Sequence, residues 1–187
     1  KQSKNFLGAK IVFKNPEKKD IVIFNSWQFY LFKSLFETKN YFCLEVPHRK
    51  VNKIYISFLI LKLILIEILN KNFKLSYYLA LIKITKPKLV ITWIDNDAKF
   101  YKLARILEKK IKFCAIQNAY RDMYHLDKTE ASNIYIPNYF CFGEQTKEHF
   151  KKIGAQVNKF YIVGSYRQSM AEKYFKKNNL INEQYKY

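Results

Sequence analysis

Glycine and proline number only four each in this chain of 187 residues, too few for a turn-rich all-β protein. Cysteine is confined to Cys43, Cys114 and Cys141, each inside a strand-like apolar run. Three thiols without C-x-x-C spacing argue against a disulfide framework and against a zinc site, so reduced, buried thiols in a cytoplasmic protein are expected. Arginine is rare: Arg49, Arg105, Arg121 and Arg167 stand against many lysines. The most apolar stretch, YISFLILKLILIEIL (55–69), covers about four helical turns and carries Lys62 and Glu67. It is too short and too charged to span a bilayer, and reads as a buried or interfacial helix. A Gly-rich phosphate loop and a signal peptide are also missing, and the first residue is Lys, so the N-terminus is expected to be incomplete.

What the chain does contain suits one domain, or slightly more, with a sizeable core: hydrophobic residues make up 49% and aromatics 18%. Lys and Arg total 34 against 15 acidic residues, a formal charge of +19 that calls for an anionic partner. Nucleic acid, a membrane surface and a phosphorylated substrate all qualify. The lysines are scattered, however, arginine is scarce, and the aromatics lie inside apolar runs where core packing accounts for them. That pattern disfavours nucleic acid and leaves anionic lipid or phosphate.

Hydrophobic periodicity gives an alternation of strands and helices. Strands are expected at 20–24, 40–46, 88–94, 111–117, 138–143 and 159–165, as short continuous apolar runs. Helical spacing falls at 27–37, 53–70, 74–84, 97–109 and 146–154, with Gly154 as the residue just past the last helix. Residues 118–137 are polar and lack a clear period. Continuous apolar strands separated by helices imply a Rossmann-like, doubly wound α/β fold, with a mainly parallel sheet of about six strands and helices on both faces. Its expected extent is 1–165, with 166–187 a helical continuation.

In such a sheet ligands bind at the carboxyl ends of strands. Asp95-Asn96-Asp97 occupies one such end, directly before a helix. The triplet is expected to cap that helix through Asn96 or Asp97 and to line a cleft, rather than to hold a metal. Replacing Asp97 should then cost more stability than replacing Asp95. Gln117, Asn118 and Arg121 leave the next strand together, and their amides and guanidinium suit hydroxyls and a carboxylate or phosphate. His48 and His125 lie in neighbouring loops and read as solvated residues. In VGSYRQS (163–169), Gly164 and Ser165 allow a tight turn into a helix whose first amides could receive an anion, reinforced by Arg167.

Taken in order, KPKLVITWIDND, FYKLARI, FCAIQNAYRD and NYFCFGEQTKEHFKKIGAQVNKFYIVGSYR resemble a family of bacterial surface-carbohydrate biosynthesis proteins, which are similar to glycosyltransferases of the two-domain GT-B type. The resemblance covers residues 86–168 well and 20–85 in outline, and this chain has Ala119 where the family carries glycine. It implies transfer of a sugar from a nucleotide-sugar donor to a glycan or lipid-linked acceptor, without metal or resident cofactor. It further implies that 1–165 is an acceptor-side domain, that 166–187 begins the connection to a C-terminal donor domain, and that this piece alone is inactive. Asp95 would be the catalytic base, with Asn96, Gln117, Asn118, Arg121, Ser165 and Arg167 binding substrate. Peripheral contact with the anionic inner face of the plasma membrane is a further expectation. Two other readings stay open: a nucleotide-sugar epimerase or polyol-phosphate transferase on the same fold, and a non-catalytic basic α/β module that binds membrane or nucleic acid.

Overall fold

The computed structural model describes residues 9–26, 29, 33–36, 40–45, 53–68, 72–119 and 131–177. At its centre is a six-stranded, wholly parallel sheet. The strands are β2 (Ile21–Phe24), β3 (Tyr41–Leu44), β5 (Leu89–Thr92), β6 (Lys112–Ile116), β7 (Tyr135–Cys141) and β8 (Gln156–Ile162), in the spatial order β3-β2-β5-β6-β7-β8. The parallel sheet read from the sequence, with its six strands, is what the structure contains. A second, two-stranded parallel ribbon pairs β1 (Lys10–Val12) with β4 (Lys53–Tyr55).

Helices α1 (Phe58–Ile68), α2 (Phe73–Thr85), α3 (Ala98–Leu107) and α4 (Glu144–Lys152) carry the chain between strands. Helix α3 shows why its sequence folds as it does. Phe100, Leu103, Ala104 and Leu107 recur at helical spacing and are all buried, and burying each large side chain contributes about 1.5–3 kcal/mol. Val22, Phe24, Val90, Phe113, Ala115, Tyr139 and Cys141 supply the sheet side of the same core. Toward the other face of β3, Phe29 and Phe36 close on Tyr41, with ring centroids 5.0 and 6.4 Å away; Phe36 belongs to a short 3-10 turn, Lys33–Phe36.

Two local outcomes differ from the periodicity, and one refines it. The helix expected from residue 53 starts at Phe58 instead, because Lys53–Tyr55 pairs with β1 and the Ser57 hydroxyl accepts the Ile60 amide (3.1 Å) as a helix cap. Strand β7 begins at Tyr135, beyond Pro137. The proline is tolerated because pairing with β6 starts only at Asn138 and pairing with β8 skips Pro137, so neither ladder is built on its missing N–H. The third is a refinement: Gly154 does end α4, at φ +79°, while its amide donates to Lys151 O (3.1 Å) and that of Ala155 to Phe150 O (3.0 Å). This paired pattern is a Schellman motif, and it needs the left-handed conformation that glycine takes without penalty.

Candidate functional site

The strand order places the sheet's topological switch between β2 and β5. From β2 the chain runs outward to β3, whereas from β5 it runs the other way to β6, so the two connections diverge and leave a crevice at the carboxyl ends. The exits of the two strands are stitched together. The Thr92 hydroxyl donates to Phe24 O (3.0 Å) and accepts the Ile94 amide (3.0 Å). On the β2 side, buried Asn25 turns the chain at φ 67°, and its amide donates to Leu44 O (2.9 Å).

Asp95, Asn96 and Asp97 follow directly. Asp97 is the N-cap of α3, its Oδ1 accepting the Lys99 amide at 2.8 Å with the Lys99 ammonium 3.8 Å away. Of the two cap candidates, this residue holds the position. Asp95 is only 2% exposed. Its Oδ2 accepts the hydroxyl of fully buried Tyr139 from β7 (2.7 Å), and its carbonyl accepts the hydroxyl of Tyr101 from α3. Asn96, between the two buried aspartates, is exposed. The loop is thus anchored through its acids and presents its amide. Tyr78 of α2 lies close enough that its phenol, pushed up chiefly by burial, is raised further by the charge of Asp97.

Pairing of β5 with β6 sets Thr92 opposite Ala115, so the loop after β6 leaves beside the Asp95 loop. Gln117 heads it, 1% exposed. Its Oε1 accepts the Phe142 amide (2.8 Å) and its Nε2 donates to Ala119 O (3.1 Å). Both ends of this amide therefore serve the backbone, holding the exits of β6 and β7 together. Asn118 is half-buried at the crevice rim. Arg121, together with His125 and His48, lies outside the described residues.

The last contribution comes from the far edge of the sheet. After β8, Gly164 (φ +73°) turns the chain, and the Ser165 carbonyl accepts the Ser169 amide (3.0 Å) as α5 (Tyr166–Lys177) begins. The Ser165 hydroxyl accepts the Gln168 amide at 3.4 Å. This helix start lies against the end of β5. Tyr166 meets Trp93 edge-on with centroids 6.2 Å apart, and the Arg167 guanidinium is 5.8 Å from the Trp93 ring. Arg167 is exposed and Ser165 half-buried.

The structure therefore brings Asp95, Asn96, Gln117, Asn118, Ser165 and Arg167 to one edge. Trp93, Tyr139 and Asn25 were missed. Tyr139 had a signal, since a phenol inside a buried strand needs a polar partner. Among the described residues no group of three or more His, Cys, Asp or Glu could hold a metal ion. Cys114 and Cys141 are buried and Cys43 half-buried, all three free; burial pushes the Cys43 and Cys114 thiols up to about 11.

A large cavity lies elsewhere. About 1070 Å³ in volume and mostly apolar, it opens between the β1–β4 ribbon, edge strand β3 and helices α1 and α2. No helix among the described residues is long and apolar enough to cross a membrane. No family model, no curated protein and no solved structure matches the chain.

Proposed function

We propose that the chain is the acceptor-side domain of a two-domain glycosyltransferase of bacterial surface polysaccharide synthesis. One observation carries the reading. The loops that leave the carboxyl ends of the parallel sheet, at and beside its β2/β5 switch point, carry Asn96, Asn118 and Arg167 exposed or half-buried, with the Asp95 carboxylate buried next to Asn96. Amides pair with the hydroxyls of a sugar, and a guanidinium pairs with a phosphate or carboxylate. The nucleotide-sugar donor is held by a second domain in this reading.

Asp95 is the proton acceptor for the sugar hydroxyl in this reading, its Oδ2 held by the Tyr139 hydroxyl. Reaching it requires the acceptor to pass Asn96. Gln117 positions the rim rather than touching the sugar, since both ends of its amide serve the backbone. Transfer proceeds without a metal ion. A lipid-linked acceptor would keep the protein peripherally on the inner face of the plasma membrane.

The test is a nuclear magnetic resonance titration of the chain with a short-chain prenyl diphosphate N-acetylglucosamine as acceptor and UDP-glucose as donor. The acceptor should shift the amides of Asn96, Asn118 and Arg167, and Asn96→Ala combined with Arg167→Ala should abolish the shifts. UDP-glucose alone should remain intact. An acceptor that perturbs none of these amides, or donor hydrolysis by this chain, would reject the reading. Stoichiometric manganese binding that disappears in Asp95→Ala would restore a metal site.

A further inference from the structure

Helix α1 is turned the wrong way for a helix on a water-facing surface. Its inward face is Ile60, Leu63, Ile64 and Glu67, and Glu67 is the acidic residue of the helix, paired inward with Lys83 of α2. The outward face holds Phe58, Leu61, Leu65 and Ile66, exposed by 85%, 49%, 68% and 58%, flanked by Leu59 and Ile68. Lys62 is the only polar side chain on it. A helix apolar on all sides belongs in an apolar environment, whereas a surface helix turns its charges outward.

The neighbouring chain continues the pattern. Val12 O accepts the Ile56 amide (3.0 Å) and Asn15 accepts the Ser57 hydroxyl (2.6 Å), which brings the segment carrying Phe13, 80% exposed, beside the first turn of α1. At the other end Phe73, 59% exposed, opens α2. Leu61 and Phe73 also wall the large cavity, whose lining includes five lysines and two glutamates among the described residues. So an apolar surface of aromatic and aliphatic side chains is bordered by lysines, on a chain of formal charge +19.

We propose that this face docks on an anionic lipid bilayer, with α1 lying in the interface, its outer side chains among the acyl chains and Lys62 reaching back to the headgroups. Charge complementarity selects this occupant. A second copy would set one lysine-bordered face against another and two chains of like charge together, whereas an anionic bilayer offers hydrocarbon and negative charge at once. The crevice at the β2/β5 switch point plays no part in the argument, so the inference stands or falls independently of sugar transfer.

Vesicle co-flotation of the whole chain tests it. Vesicles of equimolar phosphatidylcholine and phosphatidylglycerol should carry the protein up, and pure phosphatidylcholine vesicles should carry much less. Phe58→Ser combined with Leu65→Ser should weaken partitioning to the anionic vesicles by more than about tenfold, since each removes an apolar side chain from the interface. Circular dichroism should stay unchanged, because both residues are exposed. Lys62→Glu should weaken binding as well, and added salt should reduce binding without abolishing it. Three results would overturn the proposal: no binding to anionic vesicles, equal binding by the double-serine variant, or a wild-type dimer in light scattering that the double-serine variant turns into a monomer. The last would assign the face to a second copy.

Discussion

The contact between Asp95 and Tyr139 can be measured by a double-mutant cycle. Tyr139 is wholly buried and Asp95 is 2% exposed, and the phenol lies 2.7 Å from Oδ2. A hydrogen bond to a charged group contributes about 1.5–3 kcal/mol, and leaving a buried hydroxyl unsatisfied costs about 1–3 kcal/mol. Tyr139→Phe removes the donor and leaves the acid with one partner fewer. Asp95→Ala removes the acceptor and strands the phenol. Each change alone should therefore lower unfolding free energy by about 2 kcal/mol, a large share of the 5–15 kcal/mol typical of a domain. The double variant removes both ends, so its loss should fall short of the sum by at least about 1 kcal/mol. Urea denaturation followed by circular dichroism gives all three values, provided the slope with denaturant stays constant. Additivity within about 0.5 kcal/mol would show that the pair is not coupled and would refute the anchoring argument. Asp97→Ala, which removes a cap, should cost about 0.5–2 kcal/mol, so the burial of Asp95 brings its cost up to that of the cap instead of below it.

Gln117→Met keeps the bulk but removes the partners of Phe142 N and Ala119 O, and should cost about 1–3 kcal/mol with faster hydrogen exchange at the Phe142 amide. Gly154→Ala places a Cβ in open space but at φ +79°, so strain alone should lower stability by about 1 kcal/mol in a thermal melt. The Cys43 and Cys114 thiols, raised by burial from 9.0 to about 11, stay protonated in the fold while the unfolded chain ionises. Stability from them is complete below pH 9 and should be lost as pH rises toward 11, and alkylation by iodoacetamide at pH 8 should be slow until urea unfolds the protein.

The central strands were legible because a strand buried on both faces must be mostly apolar, as Ile21–Phe24 is throughout and Leu89–Thr92 is up to its last residue. Helix α3 was legible because one face is apolar and its cap is an aspartate. The β1–β4 ribbon was not: three residues cannot display a period, and Lys53–Tyr55 adjoins a run that reads as helix throughout. Pro137 concealed the first residues of β7, since its meaning depends on where β6 begins to pair. Around the crevice, the cap at Asp97 is local and could be read. The partner of Asp95 could not be read, because Tyr139 lies 44 residues on and its buried phenol signals only that it needs a polar partner, not which one. The inward turn of Glu67 was equally hidden, since Lys83 belongs to the next helix.

The strand order also bears on how the chain reaches this state. On the β5–β8 side each new strand pairs with the one before it; Val90 meets Phe113 after roughly 23 residues. Joining β2 to β5 closes a much longer segment, and the Thr92–Phe24 hydrogen bond spans 68 residues. Loop-closure entropy makes that pairing costlier by about 1 kcal/mol, from the logarithm of the two lengths. The β5–β8 half can therefore assemble from near neighbours, while the seam beside Asp95 forms only when β2 and β3 arrive from far along the chain. A partly folded protein would then hold a formed sheet edge and no crevice, and whatever binds there would act as a reporter of the last docking step.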